Sequence, residues 1–128
     1  MSREIDLQLP LARADLAGLQ LGDRVFLTGE IVSSAGLPTY ERLVRELSEG
    51  IAPPVALQGG CIFHLGSALE ARDGGWHLHY INPTTSTRFD ALMPALIEGF
   101  DLLLTGGKGG LSPESARALA RTGGVYLS

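Results

Sequence analysis

The chain has one cysteine, one tryptophan and one lysine, and aromatic residues make up only 6% of its 128 positions. Cys61 has no partner for an internal disulfide. Nor can a lone thiol hold an iron–sulfur cluster, which takes several thiolates, so any cluster chemistry must come from another chain. Basic charge is also scarce: Lys and Arg together number 10 against 14 Asp and Glu, giving a net charge of −4 and a pI near 5.2. Affinity for a phosphate backbone comes from Lys and Arg displacing counterions, so this balance argues against nucleic acid and against an anionic membrane. No apolar run approaches the roughly 20 residues of a membrane span. The N-terminus, with Glu4 and Asp6, has neither the basic nor the apolar stretch of a secretion signal. A cytoplasmic, reducing location is expected.

What is present is enough for one core. Hydrophobic residues make up 45% of the chain, so a single domain over residues 1–128 is the expectation. The hydrophobic pattern predicts an α/β fold. An extended lead-in, Glu4 to Leu11, is followed by a short turn or helical piece ending near Gly22, then by a strand from Arg24 to Ser33 buried on both faces. Tyr40, Leu43, Val44 and Leu47 have helical spacing, with Pro38 in the first turn and Gly50 past the end. Cys61 to Leu65 and Trp76 to Ile81, joined through Arg72-Asp73-Gly74-Gly75, read as a hairpin. A polar loop, Asn82 to Arg88, leads into a helix carrying Phe89, Leu92, Met93 and Leu96. A strand from Asp101 to Thr105, a glycine-rich loop, a helix capped by Ser112 and a last strand, Val125 to Leu127, complete the chain.

Three groups of residues could carry chemistry. Lys108 stands among four glycines between a strand and a helix N-terminus, where backbone N–H groups and the helix end favour a small anion. The alternative is a solvated turn, and the spacing of a P-loop is absent. Thr84, Thr85, Ser86 and Thr87 can bind a carboxylate through hydroxyls and amides, and Arg88 adds a planar fork that suits one. The same run also reads as a helix cap in which Thr87 and Asp90 form a loose capping box. His77 and His79 share one face of a strand. If Leu69 pairs with Trp76, His64 joins them and three histidines could approach zinc. Cys61 reads as a small buried apolar residue.

The wording and order of these segments resemble one family: the C-terminal domain or β subunit of class I fumarases and L-tartrate dehydratases, over about residues 15 to 127. Leu21-Gly22-Asp23-Arg24-Val25-Phe26-Leu27-Thr28-Gly29-Glu30-Ile31-Val32 is similar to the family's opening strand. Gly60-Cys61-Ile62-Phe63-His64-Leu65-Gly66 resembles its central strand. Pro83-Thr84-Thr85-Ser86-Thr87-Arg88-Phe89-Asp90 looks like the family's Pro-Thr-Thr motif, and Gly107-Lys108-Gly109 follows at the family's distance.

The resemblance implies a compact β/β/α swivelling domain with a mixed sheet, C-terminally short relative to the family. It implies a hydro-lyase acting on a hydroxy (di)carboxylic acid such as malate, fumarate or tartrate, active within an oligomer. The four-iron, four-sulfur cluster would sit on a partner α subunit, with one iron open to substrate. Carried over by position, Thr84 would be the general base, and Thr85, Arg88 and Lys108 would bind the substrate. The family's first loop carries Arg-Asp-x-x-His, whereas this chain reads Ser34-Ala35-Gly36-Leu37-Pro38-Thr39-Tyr40, so one carboxylate-binding arginine is missing there. A non-catalytic carboxylate-binding or regulatory module is the other function this pattern allows.

Overall fold

A computed structural model describes residues 3–128 and gives them mixed α/β structure in layers. Glu4–Gln8 (β1) pairs in parallel with Arg24–Thr28 (β2), the short helix Arg13–Leu16 (α1) lying between them in sequence. Val32–Ser33 (β3) is followed by the helix Leu37–Ser48 (α2), and Cys61–Phe63 (β4) pairs in parallel with β3. Next, Leu65–Arg72 (β5) and Gly75–Pro83 (β6) form an antiparallel hairpin. A 3-10 segment, Ser86–Leu92, runs straight into the helix Met93–Gly99 (α3). Leu104–Gly106 (β7), the helix Pro113–Thr122 (α4) and Val125–Leu127 (β8) close the chain. β3, β4, β7 and β8 make one all-parallel sheet in that order.

The pleat of β4 assigns residues to the two sides of this sheet. Ile62 packs with Tyr40, Leu43, Phe89, Met93, Leu96, Ile97 and Leu119 of the helical layer. Cys61 and Phe63, one residue to either side, pack with Leu7, Leu9, Leu11 and Leu16 of the β1–α1 layer. The result is a β/β/α stack with a separate apolar cluster on each face of the central sheet. Side chains as buried as Ile97 and Leu104, both 0% exposed, each contribute about 1.5–3 kcal/mol.

Local signals behave as their chemistry requires. Pro38 and Pro113 lie in the first turns of α2 and α4, where a missing N–H costs nothing. The Ser112 hydroxyl accepts a hydrogen bond from the Ser115 N–H at 3.5 Å, and Gly123 ends α4 in the left-handed region, at φ 78°. Asp73 and Gly74 both have positive φ, the geometry of a two-residue turn matched to strand twist.

Four expectations are corrected. Arg24 to Ser33 is two strands, because Gly29 at φ 127° breaks the run and sends the chain from the β1–β2 pair into the central sheet. β2 is also half exposed, Phe26 retaining 46% of its surface, so it is not buried on both faces. Cys61–Phe63 belongs to the parallel sheet and the hairpin begins only at Leu65, as befits a run buried on both sides. Asp101, at φ 51°, cannot start a strand, and β7 begins at Leu104. Among the described residues no helix is long and apolar enough to cross a membrane.

Candidate functional site

In parallel α/β sheets, ligands are met by the loops beyond the carboxyl ends of the strands. Here those ends are Ser33, Phe63, Gly106 and Leu127. Past Phe63 and Gly106 the strands β4 and β7 continue for one more bond, the His64 N–H donating to the Gly106 carbonyl at 2.7 Å, and then part. The Thr84–Ser86 segment enters the gap. The Thr84 N–H donates to the His64 carbonyl at 2.8 Å, the Lys108 N–H donates to the Thr84 carbonyl at 3.1 Å, and the Ser86 N–H donates to the Lys108 carbonyl at 3.0 Å. Thr85 and Lys108 thereby form an isolated parallel bridge, although 23 positions separate them in sequence.

Gly107 makes this approach possible. A β-carbon there would lie 2.5 Å from Ser86 Oγ, 2.9 Å from His64 Cβ and 3.0 Å from the Thr84 carbonyl. The glycines around Lys108 thus bring two segments of backbone together, and Gly109 and Gly110 turn the loop away at positive φ.

The structure brings Thr84, Thr85 and the Lys108 backbone into direct contact. Arg88 follows in the first turn of the 3-10 segment, its N–H donating to the Thr85 carbonyl at 3.3 Å. The side chains of Arg88 and Lys108 are exposed and have no hydrogen-bond or ion-pair partner among the described residues. Thr84 and Thr85 are half-buried. The capping-box reading of Thr87 and Asp90 is not what forms. Asp90 reaches across to α4, accepting from the Ser112 N–H at 2.9 Å and from the Ser115 hydroxyl at 2.8 Å. Burial works against the Asp90 carboxylate, but the bonds from Ser112 and Ser115 outweigh it and hold its pKa below the usual value. The negative charge at the α4 N-terminus is therefore the protein's own.

The three-histidine arrangement does not exist. The hairpin pairs Ala71 with Trp76 and Leu69 with Leu78, with a register shift between Ala68 and Leu69, and His64 precedes it altogether. His77 and His79 are exposed, and His79 Nε2 lies 2.9 Å from Glu70 Oε2. No metal-binding cluster of His, Cys, Asp or Glu is found among the described residues.

His64 is instead fully buried, its ring packed against Phe89 at 4.9 Å and Tyr40 at 5.5 Å between centroids. Its Nδ1 lies 2.7 Å from Ser86 Oγ, which lies 2.7 Å from the Tyr126 hydroxyl, and that hydroxyl accepts from the Gly110 N–H at 3.2 Å. Burial pushes the His64 pKa down to about 4, so the ring is neutral at pH 7. Sequence reasoning missed this trio. Its one legible signal was a titratable residue directly after a strand buried on both faces.

Cys61 is 3% exposed in β4, and burial raises its thiol pKa. One buried thiol does not fit the ligand set of an iron–sulfur cluster.

Threonines, an arginine and a glycine-flanked lysine thus stand at the carboxyl edge of a parallel sheet. The family model described as fumarase C-terminus matches residues 1–128. The L(+)-tartrate dehydratase subunit beta of Escherichia coli K12 is 34% identical over 107 residues, covering 84% of this chain and 51% of that subunit. A Geobacillus stearothermophilus protein, provisionally named a class I fumarate hydratase, is 32% identical over 127 residues, 98% of this chain and 24% of that protein. A Methanocaldococcus jannaschii protein provisionally named an L(+)-tartrate dehydratase subunit beta is 27% identical over 118 residues, 92% of this chain and 60% of that protein. The chain belongs to the fumarase C-terminus family. It spans about a quarter to three-fifths of the length of these relatives.

Proposed function

We propose that this chain is the β-type component of a hydro-lyase acting on a hydroxy (di)carboxylic acid of the malate, fumarate or tartrate kind. The observation that carries the reading is the Thr85–Lys108 bridge, which joins the Thr84–Arg88 segment to the lone lysine's loop at the carboxyl edge of the sheet. Lys108 and Arg88 are two exposed cations with no partner among the described residues, a natural count for two carboxylates, and Arg88 offers the planar fork that grips one of them with two bonds. In this reading Thr85 contributes its hydroxyl to the same acid. Thr84 acts as the general base in its alkoxide form, its own proton having passed to solvent: Oγ1 takes the proton from the carbon next to the one that loses hydroxide, and that C–H electron pair becomes the double bond.

Both cations are exposed on this chain, and an exposed ion pair is worth only about 0–1 kcal/mol. Tight binding requires water to be excluded, and Thr84 as a base requires nearby cations to stabilise its alkoxide in that water-poor site, so a second surface must close over these loops. We assign that surface to a cluster-bearing α subunit in an oligomeric, cytoplasmic enzyme. The four-iron, four-sulfur cluster, when bound there, supplies a Lewis acid for the leaving hydroxyl. With no arginine in the Ser34–Tyr40 loop, the acid is held by fewer cations than the family's pattern provides.

The test is anaerobic co-expression with a cluster-bearing chain, followed by a dehydration assay across 2-hydroxy acids. Turnover of at least one of them is expected. A stable complex that dehydrates none would refute the proposal.

A further inference from the structure

The geometry points to Ser86, clasped between His64 and Tyr126, as the positioning residue that holds the Thr84–Arg88 segment and the Lys108 loop in one fixed relation. The inference rests on reading those two segments as the carboxylate site. Ser86 touches both: its N–H donates to the Lys108 carbonyl, and its hydroxyl reaches Tyr126, which takes the Gly110 N–H. One residue therefore ties the loop at Lys108 through its backbone N–H and, through its hydroxyl and Tyr126, at Gly110. On the other side Ser86 is anchored to His64, whose own carbonyl receives the Thr84 N–H.

A loop with glycines at 106, 107, 109 and 110 has unusual conformational freedom, and an exposed lysine carried on it would otherwise sample many positions. Ser86 and His64 are both 0% exposed. Apolar residues of the same shape would fill that space without the cost of desolvating polar groups, so what the polar trio adds is direction.

The protons can be ordered. Of the two directions open to this chain of groups, one sends the Tyr126 proton to Ser86 Oγ and the Ser86 proton to His64 Nδ1, with Tyr126 still accepting from Gly110. This order gives each hydroxyl proton a partner. It leaves His64 with its proton on Nε2, the one buried side-chain polar atom among the described residues without a hydrogen-bond partner.

The experiment is nitrogen-resolved NMR and amide hydrogen exchange on the full chain. In the parent, His64 is expected as the neutral Nε2–H tautomer. Ser86→Ala and Tyr126→Phe each delete one oxygen without enlarging a side chain. Both should speed exchange of the Lys108 amide by about tenfold or more, the equivalent of one lost hydrogen bond, while Leu102 and Leu104 in the core stay as protected as in the parent. His64→Asn, which keeps an acceptor near the Nδ1 position, should retain slow exchange at Lys108, and His64→Leu should not. Unchanged Lys108 exchange in Ser86→Ala, a uniform loss of protection through the core, or an Nδ1–H tautomer in the parent would overturn the inference. So would full turnover by Ser86→Ala in an active complex. Exchange needs neither substrate nor a second chain, so it decides the clamp even where no complex dehydrates any acid. That second failure would count against the proposed function alone.

Discussion

Acidifying the protein from pH 7 to pH 4.5 should cost stability through one residue, His64. Its ring is fully buried, and burial lowers its pKa from 6.5 to about 4. Below pH 6.5 the unfolded chain takes up a proton on this imidazole that the folded chain refuses, so acid favours the unfolded state. The stabilisation from keeping the ring neutral is intact above pH 6.5, falls as the pH drops, and levels off below about 4, where the folded ring charges too. The interval from 6.5 to about 4, at about 1.4 kcal/mol per pH unit, amounts to about 3 kcal/mol for full titration. That is a large fraction of the 5–15 kcal/mol typical of a folded domain. The depressed carboxylates Asp23 and Asp90 act in a lower window, losing their contribution as pH falls through pKa values below 3.8. Urea unfolding at half-unit steps between pH 7 and 4.5 measures the slope, and His64→Asn should flatten most of it. Equal stability of the parent at pH 6.5 and 4.5, or the His64 imidazole itself titrating near 6.5 in the folded protein, would refute the reasoning.

Other outcomes follow from the same contacts. Gly107→Ala has no room for its methyl group, 2.5 Å from Ser86 Oγ and 3.0 Å from the Thr84 carbonyl, and should destabilise the fold by about 1–3 kcal/mol in urea unfolding. Asp90→Ala leaves the Ser112 N–H and the Ser115 hydroxyl without their carboxylate acceptor and should cost about 1–3 kcal/mol, read as a lowered urea midpoint. Lys108→Ala should leave the urea midpoint unchanged, because the side chain is exposed and has no partner among the described residues. In the assembled enzyme it should lower kcat/KM about tenfold to 150-fold, the equivalent of a charge-assisted bond worth roughly 1.5–3 kcal/mol. Lys108→Arg should also be impaired, since a planar fork does not replace a compact ammonium on so tight a loop.

How much of this was legible in the sequence depended on whether the signal was local. Helical spacing, proline and glycine positions located α2 and α4 to within a residue or two, because each is set by neighbours along the chain. The Asp73-Gly74 turn was readable for the same reason. The parting of β4 and β7 was not: Cys61–Phe63 is short and apolar, and nothing local separates a hairpin strand from a parallel one. That one misassignment moved His64 from the buried aromatic cluster to an exposed sheet face and suggested a metal site that does not form. Ser86 and Tyr126, 40 positions apart, could be joined only by the fold. The Thr84–Arg88 and Lys108 segments stood out by composition, while their backbone bridge did not.

The most direct test of the central claim is the initial rate of dehydration by the complex with a cluster-bearing chain, comparing the parent with Thr84→Val. The variant keeps the shape of the side chain and every backbone bond at Thr84, so it should assemble normally. Loss of general-base catalysis should slow turnover by about a hundredfold or more, and the β-type chain alone should turn over nothing. A Thr84→Val complex as fast as the parent would contradict the assignment of the base, and dehydration by the isolated chain would contradict the division of labour itself.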